Sequence, residues 1–321
     1  MDEVRFFPAP NVKEASRLTK EWPVSQAVLM AGGTDLLVLK KLKLVNPRSI
    51  VYLKRIPGLA EIRPDGKGGF IIGALATLDA VGRHPGLNRN YPMLAQAALA
   101  VASPQIRYKA TMGGNICLNS RCWFYNRSPF WRAEYPHCRK ASGGSQCYVT
   151  PRSRQGCFAL QSGDTVGPLV ALGAALRLVS DEEERIIGME KIFLGDGMHY
   201  LALRPGEVLT EILLPAPVGR GAFVKFRPQN NLDFATFTLS VIIPWKGAGS
   251  RIVAACVASR PLRARQAEAL LDQGEINTNV IAQEAVKEFN LVSFVRGSLE
   301  FKKQVMEAKL TEIMARLKQP M

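Results

Sequence analysis

Five of the six cysteines lie between residues 117 and 157, with the spacing Cys117-x4-Cys122-x15-Cys138-x8-Cys147-x9-Cys157. Four thiolates are enough to bind a zinc ion or an iron–sulfur cluster. The spacing has neither the C-x-x-C pairs of zinc ribbons nor the compact cysteine run of bacterial ferredoxins. It therefore leaves zinc, a cluster and free thiols open as alternatives. Cys256 lies in the apolar stretch "IVAACVA" and is predicted to be a core residue.

Two Gly-Gly pairs, in "AGGTDLL" and "TMGGN", form the second candidate site. The first pair follows a predicted strand and opens a predicted helix, where consecutive backbone N–H groups can bind a pyrophosphate. Thr34 and Asp35 add hydroxyl and carboxylate partners for phosphate-side or ribityl hydroxyls. Neither stretch fits G-x-G-x-x-G, so a Rossmann dinucleotide site is not indicated, and two ordinary tight turns are the alternative.

These residues must be positioned by alternating strands and helices. A helix is predicted over residues 11–21, with Asn11 as N-cap and Glu14 three residues later. Another is predicted over residues 91–102 and stops near Pro104, because the residue before proline avoids the α region. Residues 118–160 show no sustained period and are predicted to be an irregular insert. Other strands are predicted to end at residue 31, to span residues 49–53 and to end at residue 215, and a further strand leads into a helix near Thr77. The C-terminal part is predicted to contain three strands with a "KGAG" hairpin, followed by helices at about 262–272, 281–290 and 296–318.

The composition indicates a folded protein. The chain has 321 residues, 47% of them hydrophobic and 21% charged, and a net charge of +15. The lysines and arginines are scattered and no nucleic-acid-binding signature appears, which argues against that function. No apolar run reaches the roughly 18 residues of a membrane span, and "MDEVRFFPAP" lacks the apolar region of a signal peptide. We expect a cytoplasmic protein, in which clustered cysteines bind metals or act in redox chemistry more often than they form disulfides.

Five motifs occur in order: "LMAGGTDLL", "IIGALATL", "ATMGGNI", "GDTVGPLVALGAAL" and "PGEVLTEILLP". With this order, the chain resembles the FAD-binding subunits of the molybdenum hydroxylase family, which includes xanthine and carbon monoxide dehydrogenases. The resemblance implies an α+β fold: an FAD-binding domain of two α+β subdomains, like those of vanillyl-alcohol oxidase and PCMH, followed by a C-terminal domain with a small antiparallel sheet and helices. The expected boundaries are residues 1–55, 56–216 with the insert at about 118–160, and 217–321.

The resemblance also assigns FAD-binding residues by position. The pyrophosphate would be held by Leu29, Met30, Ala31, Gly32, Gly33, Thr34, Asp35 and Leu36. A second FAD loop would consist of Thr111, Gly113, Gly114 and Asn115. Ser103 and Asp164 match positions near the cofactor, and Val208 and Lys225 match residues that flank the flavin ring. No catalytic triad or P-loop is present, so substrate chemistry is expected on another subunit.

The insert resembles one particular group within this family. "GGNICLNSRCWFYNRSPFWR", with its later cysteines, is similar to the β subunits of 4-hydroxybenzoyl-CoA reductases. This implies a 4Fe-4S cluster bound by Cys122, Cys138, Cys147 and Cys157, with Cys117 excluded. It also implies a dimer of heterotrimers with a molybdenum-cofactor subunit and a 2Fe-2S subunit, in which ferredoxin donates electrons for dehydroxylation of an aromatic acyl-CoA. The alternatives are a hydroxylase or dehydrogenase with outward electron flow and, more distantly, a nucleic-acid-binding protein with a zinc loop.

The insert is basic. Between Cys122 and Cys157 six basic residues face one acid, Glu134, which gives a net charge of +5. Such a rim would attract an acidic electron carrier, and a solvated loop is the alternative. Trp123, Phe124, Tyr125, Phe130 and Trp131 are predicted to pack the insert. The six basic residues are Arg127, Arg132, Arg139, Lys140, Arg152 and Arg154.

Overall fold

The computed structural model describes residues 4–22, 26–151, 153, 156–229, 232–245, 249–292 and 298–318. Arg152, Arg154, most of the "KGAG" turn and the start of the predicted last helix lie outside these residues. The N-terminal part is a three-stranded parallel sheet in the order β1-β3-β2. Asn11 caps the first helix as predicted, since its Oδ1 accepts from the Glu14 N–H at 2.8 Å. The elements are β1 (Arg5–Pro8), α1 (Val12–Lys20), β2 (Ala27–Met30), α2 (Leu36–Lys41) and β3 (Ser49–Tyr52).

The second sheet is antiparallel and has the strand order β4-β5-β8-β6-β7. Its strands are β4 (Ile62–Pro64), β5 (Phe70–Gly73), β6 (Ala175–Val179), β7 (Glu184–Gly188) and β8 (Val208–Leu214). β6 alternates buried and half-buried residues, because one face of the sheet covers the core. The helices are α3 (Leu78–Arg83), α4 (Pro85–Asn90), α5 (Pro92–Leu99), α6 (Pro104–Arg107), α7 (Met112–Ile116), α8 (Pro129–Ala133), α9 (Arg139–Ser142) and α10 (Val166–Ala171), with a 3₁₀ turn at Met189–Ile192.

The C-terminal part is a four-stranded antiparallel sheet in the order β12-β11-β10-β9, followed by helices. The elements are β9 (Gly219–Phe226), β10 (Phe237–Pro244), β11 (Arg251–Ala255), β12 (Leu262–Arg263), α11 (Arg265–Asp272), α12 (Thr278–Glu288) and α13 (Leu299–Lys318). Helices α12 and α13 bury Ile281, Val286 and Leu310 against this sheet. The predicted α+β fold class is confirmed, while the exact domain boundaries stay predictions.

Three local predictions were wrong. Helix α5 ends at Leu99, and Pro104 begins helix α6 instead of following a long helix. The second Gly-Gly pair lies in helix α7, because the Thr111 hydroxyl caps a helical turn. The chain at residue 262 is strand β12, and helix α11 begins only at Arg265. No helix among the described residues is long and apolar enough to cross a membrane.

The insert has a small core of its own. Helices α8 and α9 are its helical elements, and Phe124 and Trp131 pack with neighbouring aromatic rings as predicted. Phe124 contacts the rings of Trp131, Tyr135 and Tyr148, with centroids 5.0–6.1 Å apart. Phe130 is the exception, since 87% of its surface is exposed. The prediction that Phe130 packs the insert is therefore wrong.

Candidate functional site

The first Gly-Gly loop presents unused backbone donors. Within the described part of the chain, the N–H groups of residues 32–36 donate to no acceptor; these residues connect the edge strand β2 to helix α2. Gly33 has a φ of +70°, which a residue with a side chain rarely adopts. Successive free N–H groups in such a turn form a concave anion-binding surface. This geometry suits the pyrophosphate role predicted for the loop.

The two glycine loops lie against each other. A Cβ atom at Gly32 would collide with the carbonyl oxygen of Lys109, which lies just ahead of the second loop. Only a glycine allows this approach. The structure therefore brings the two predicted FAD loops together, although they are far apart in the sequence.

The second loop differs from the first because its own N–H groups are occupied. Gly113 donates to the Ala74 carbonyl at 2.8 Å, and Gly114 donates to the Thr111 hydroxyl at 3.1 Å. The Asn115 Oδ1 accepts from the Thr165 N–H at 3.1 Å and from its hydroxyl at 2.7 Å. This loop therefore contributes shape and support to the site, and the free backbone donors belong to the first loop.

Asp164 and Lys225 form a buried ion pair beside the second loop. The Lys225 Nζ donates to Asp164 Oδ2 at 2.6 Å and to the Ala100 carbonyl at 3.0 Å. Burial raises the pKa of the Asp164 carboxyl, and the Lys225 charge opposes that rise. Asp164 Oδ1 is buried and has no hydrogen-bond partner in the described residues. An unpaired buried carboxylate oxygen beside the second loop fits a site that receives a polar ligand such as FAD.

The remaining predicted residues are placed less directly. Ser103 caps helix α6 and accepts from the Ile106 N–H at 3.3 Å. Val208 is fully buried in the core that lies under the first sheet. Leu29 and Met30 form the end of β2. The Asp35 carboxylate, predicted to meet FAD hydroxyls, forms an ion pair with Arg121.

The second candidate site is a cavity lined by all four cysteines of the predicted ligand set: Cys122, Cys138, Cys147 and Cys157. All four are buried, and Cys117 does not line the cavity. Among the described residues, no three His, Cys, Asp or Glu side chains converge to hold one metal ion. Cys256 is buried in the core, as predicted.

Backbone donors point at the thiols. Burial raises the pKa of the Cys122 thiol to about 11, while hydrogen bonds from the Phe124 and Tyr125 backbone act against that rise. Burial also acts to raise the pKa of Cys147, but hydrogen bonds from Thr150 and nearby backbone outweigh it and leave that pKa below its ordinary value. Donors of this kind stabilise thiolates, which are the ligand form for a metal.

Lys140 also lines this cavity and points inward. Its Nζ donates to Asn119 Oδ1 at 2.8 Å and to the Gly197 carbonyl at 2.6 Å, and lies 4.9 Å from the centre of the Tyr125 ring. Burial lowers the pKa of Lys140 to about 8, opposed by the nearby thiols. The prediction that Lys140 belongs to an outer docking rim is therefore wrong.

Sequence reasoning missed Arg121 as well as this role of Lys140. Arg121 carries no motif, and its acid partner Asp35 lies 86 residues earlier in the chain. The only available signal was a basic residue next to the first cysteine of the insert.

The family model for the FAD binding domain in molybdopterin dehydrogenase matches residues 2–217. The chain belongs to this family. It is therefore an oxidoreductase component, the flavoprotein subunit of a molybdenum hydroxylase, and its bound cofactor is FAD. The glycine loops and the Asp164–Lys225 pair lie within or next to the matched part.

Relatives and solved structures agree with this membership. The chain is 31% identical to the aldehyde oxidoreductase FAD-binding subunit PaoB of Escherichia coli K12, over 78% of this chain and 81% of that protein. It is 28% identical to the carbon monoxide dehydrogenase medium chain of Afipia carboxidovorans, over 90% and 88% of the two chains. The fold matches reconstituted CO dehydrogenase from Oligotropha carboxidovorans with a TM-score of 0.78, 25% identity and 98% coverage of both chains.

Proposed function

We propose that this flavoprotein subunit carries a 4Fe-4S cluster in addition to FAD and relays electrons for a molybdenum subunit. The observation that supports the cluster most directly is the set of four buried cysteines around one cavity, joined in sequence to the second FAD loop. The first loop's free N–H groups would hold the FAD pyrophosphate, and Asp164 would meet a polar group of the cofactor. When bound, FAD and the cluster supply one-electron redox chemistry.

Backbone hydrogen bonds to the thiols support a cluster at this site. A zinc ion would need all four sulfur atoms at about 2.3 Å from one point. A polynuclear cluster is wider and is held by thiolates at its corners, with hydrogen bonds to sulfur from the backbone. Cys122, Cys147 and Cys157 all receive such bonds.

Outward electron flow is the function that the comparisons favour. The relatives above are named as an aldehyde oxidoreductase and a carbon monoxide dehydrogenase. By this proposal a partner subunit with the molybdenum cofactor oxidises a small organic or inorganic substrate, a 2Fe-2S subunit passes the electrons on, and this chain delivers them to an acceptor. The expected assembly is a dimer of heterotrimers.

The second candidate is the β subunit of a 4-hydroxybenzoyl-CoA reductase, with electrons entering from ferredoxin during anaerobic aromatic degradation. Its support is the insert motif that includes Cys122 and the insert's basic charge. The inward position of Lys140 weakens the docking surface that this candidate requires.

Iron, sulfide and flavin analysis of the anaerobically purified full chain tests the cofactors. About four Fe and one FAD per chain support the proposal, and zinc without iron would refute it. Cys138→Ser should lose most of the iron, while the matched variant Cys117→Ser should keep it. In the assembled complex, reduction of an artificial acceptor by aldehydes supports outward flow, whereas activity only with reduced ferredoxin and an aromatic acyl-CoA supports the second candidate.

A further inference from the structure

The insert contacts helix α2 at the end that carries the first FAD loop. Asp35, the residue before α2, forms an ion pair with Arg121, whose position is fixed by backbone pairing with Leu160. The Arg121 guanidinium also lies over the Phe234 ring, 4.7 Å from its centre. Both charged side chains are about one-fifth exposed, so solvent screens this pair only in part. The start of the cysteine insert thus holds the residue that closes the pyrophosphate loop.

The insert also contacts the other end of α2. Lys43 has a φ of +51°, and the Leu44 N–H donates to the Leu39 carbonyl at 2.9 Å, which turns the chain sharply after the helix. Arg132 uses its two Nη atoms as a fork. They donate to the Leu42 and Lys43 carbonyls, each at 3.1 Å. A planar guanidinium suits two neighbouring acceptors, whereas a lysine reaches one.

Leu44 joins this turn to the thiol site. It packs against the small core that contains Cys122, Tyr125 and Cys157. The Tyr125 hydroxyl donates to the Leu44 carbonyl at 3.3 Å. Tyr125, which lines the cysteine cavity, therefore also contacts the chain that follows α2.

We infer that the insert clamps helix α2 at both ends, so that occupation of the cysteine site and binding of FAD are energetically coupled. Arg121 and Arg132 are positioning residues that act on FAD through the first loop. An unclamped α2 must be ordered when FAD binds, and the cost of ordering lowers affinity. Coupling is reciprocal, so bound FAD also stabilises the loaded insert by the same factor. The coupling to the cysteine site rests on the proposed cluster, whereas the effect of the clamp on FAD affinity rests on FAD binding alone.

The test measures FAD affinity by flavin fluorescence in the full chain as purified and after removal of iron with a chelator. Arg132→Gln removes the guanidinium that binds the two carbonyls after α2. Arg132→Lys keeps the positive charge but can reach only one of these carbonyls. The matched control is Arg127→Gln, because Arg127 lies in the same insert and donates to the Trp123 carbonyl at 3.2 Å. Couplings between sites are commonly 5–150-fold, and we expect about a tenfold rise in the FAD Kd for Arg132→Gln.

The expected pattern is specific. Arg132→Lys falls between wild type and Arg132→Gln, and Arg127→Gln binds FAD within about twofold of wild type. Iron removal weakens FAD binding in wild type but adds little in Arg132→Gln. The clamp is wrong if Arg132→Gln binds FAD as Arg127→Gln does, or if iron removal has the same effect in wild type and Arg132→Gln. A preparation that never contains iron refutes the proposed cluster instead, while the comparison of the Arg132 and Arg127 variants still decides the clamp.

Discussion

Replacing Lys225 by methionine tests the buried ion pair beside the second glycine loop. The Lys225 and Asp164 side chains are only 6% and 7% exposed, and their charged atoms are 2.6 Å apart. Methionine keeps most of the apolar stem but leaves the Asp164 carboxylate without its partner. Breaking a buried pair by removing one member costs about 3–5 kcal/mol of unfolding free energy. We expect a loss of this size for Lys225→Met.

The size of this loss should depend on pH. Burial raises the folded-state pKa of Asp164 above its unfolded value, so its contribution to stability is present below the unfolded pKa and is lost as pH rises through the folded pKa. Removing Lys225 takes away the charge that opposes this rise, so the folded pKa climbs further. The variant therefore loses stability over a wider pH range, and its deficit against wild type should be larger at pH 8 than at pH 5.

Urea unfolding of the FAD-free full chain at the two pH values measures this deficit. Lys302→Met is the matched control, because Lys302 is 5% exposed and burial lowers its pKa. The control should change stability little or increase it. The double variant Asp164→Asn/Lys225→Met should recover most of the loss, since no buried charge remains. A deficit below about 1 kcal/mol, or one that is equal at both pH values, would refute the reasoning.

Three further perturbations test other parts of the structure. Gly32→Ala should weaken FAD binding at least tenfold, or about 1.4 kcal/mol, because the new Cβ collides with the Lys109 carbonyl; unchanged affinity by flavin fluorescence would contradict this. Burial raises the pKa of Glu207, but hydrogen bonds from Arg185 and the Arg204 N–H outweigh it and leave that pKa low. The stability that Glu207 contributes is therefore present above its unfolded-state pKa and is lost as pH falls through its folded-state pKa. Glu207→Gln should lower the unfolding free energy by about 2 kcal/mol at pH 7 and by little near pH 3. Unfolding monitored by circular dichroism at the two pH values measures this difference. Lys140→Met should lower the midpoint potential of the proposed cluster, because a cation beside the thiolates favours the more negative reduced state. A tenfold change in the reduction equilibrium corresponds to ~59 mV. An unchanged potential in an EPR-monitored titration would show that Lys140 has no such effect.

Local features of this chain could be predicted from the sequence. Asn11 and Thr77 were recognisable as helix starts, and both accept the capping bonds that their types favour. The first Gly-Gly loop was predictable because its conformation depends on neighbours in sequence. Pro104 misled for a physical reason: a Ser-Pro pair stops one helix and equally well starts another, with serine as N-cap and proline in the first turn.

Features that depend on distant partners could not be predicted in this way. The Arg121–Asp35 pair joins residues that lie 86 positions apart in the sequence, and many other acids were equally plausible partners for Arg121. Strand β12 has only two residues and exists because β11 offers it an edge. In both cases the deciding interaction forms only after the surrounding elements have packed.

The structure gives the basic residues of the insert a different role from the one predicted. A count of residues placed Arg132 and Lys140 on a rim that would attract an acidic electron carrier. Arg132 instead binds the carbonyls beyond α2, and Lys140 binds oxygen atoms beside the thiol cavity. A segment with little regular structure leaves many backbone carbonyls without backbone hydrogen-bond partners. Arginine and lysine side chains, which have several donors, can supply these hydrogen bonds instead. Part of the insert's positive charge thus serves internal order and the two cofactor sites, so the strength of an electrostatic docking surface cannot be judged from net charge alone.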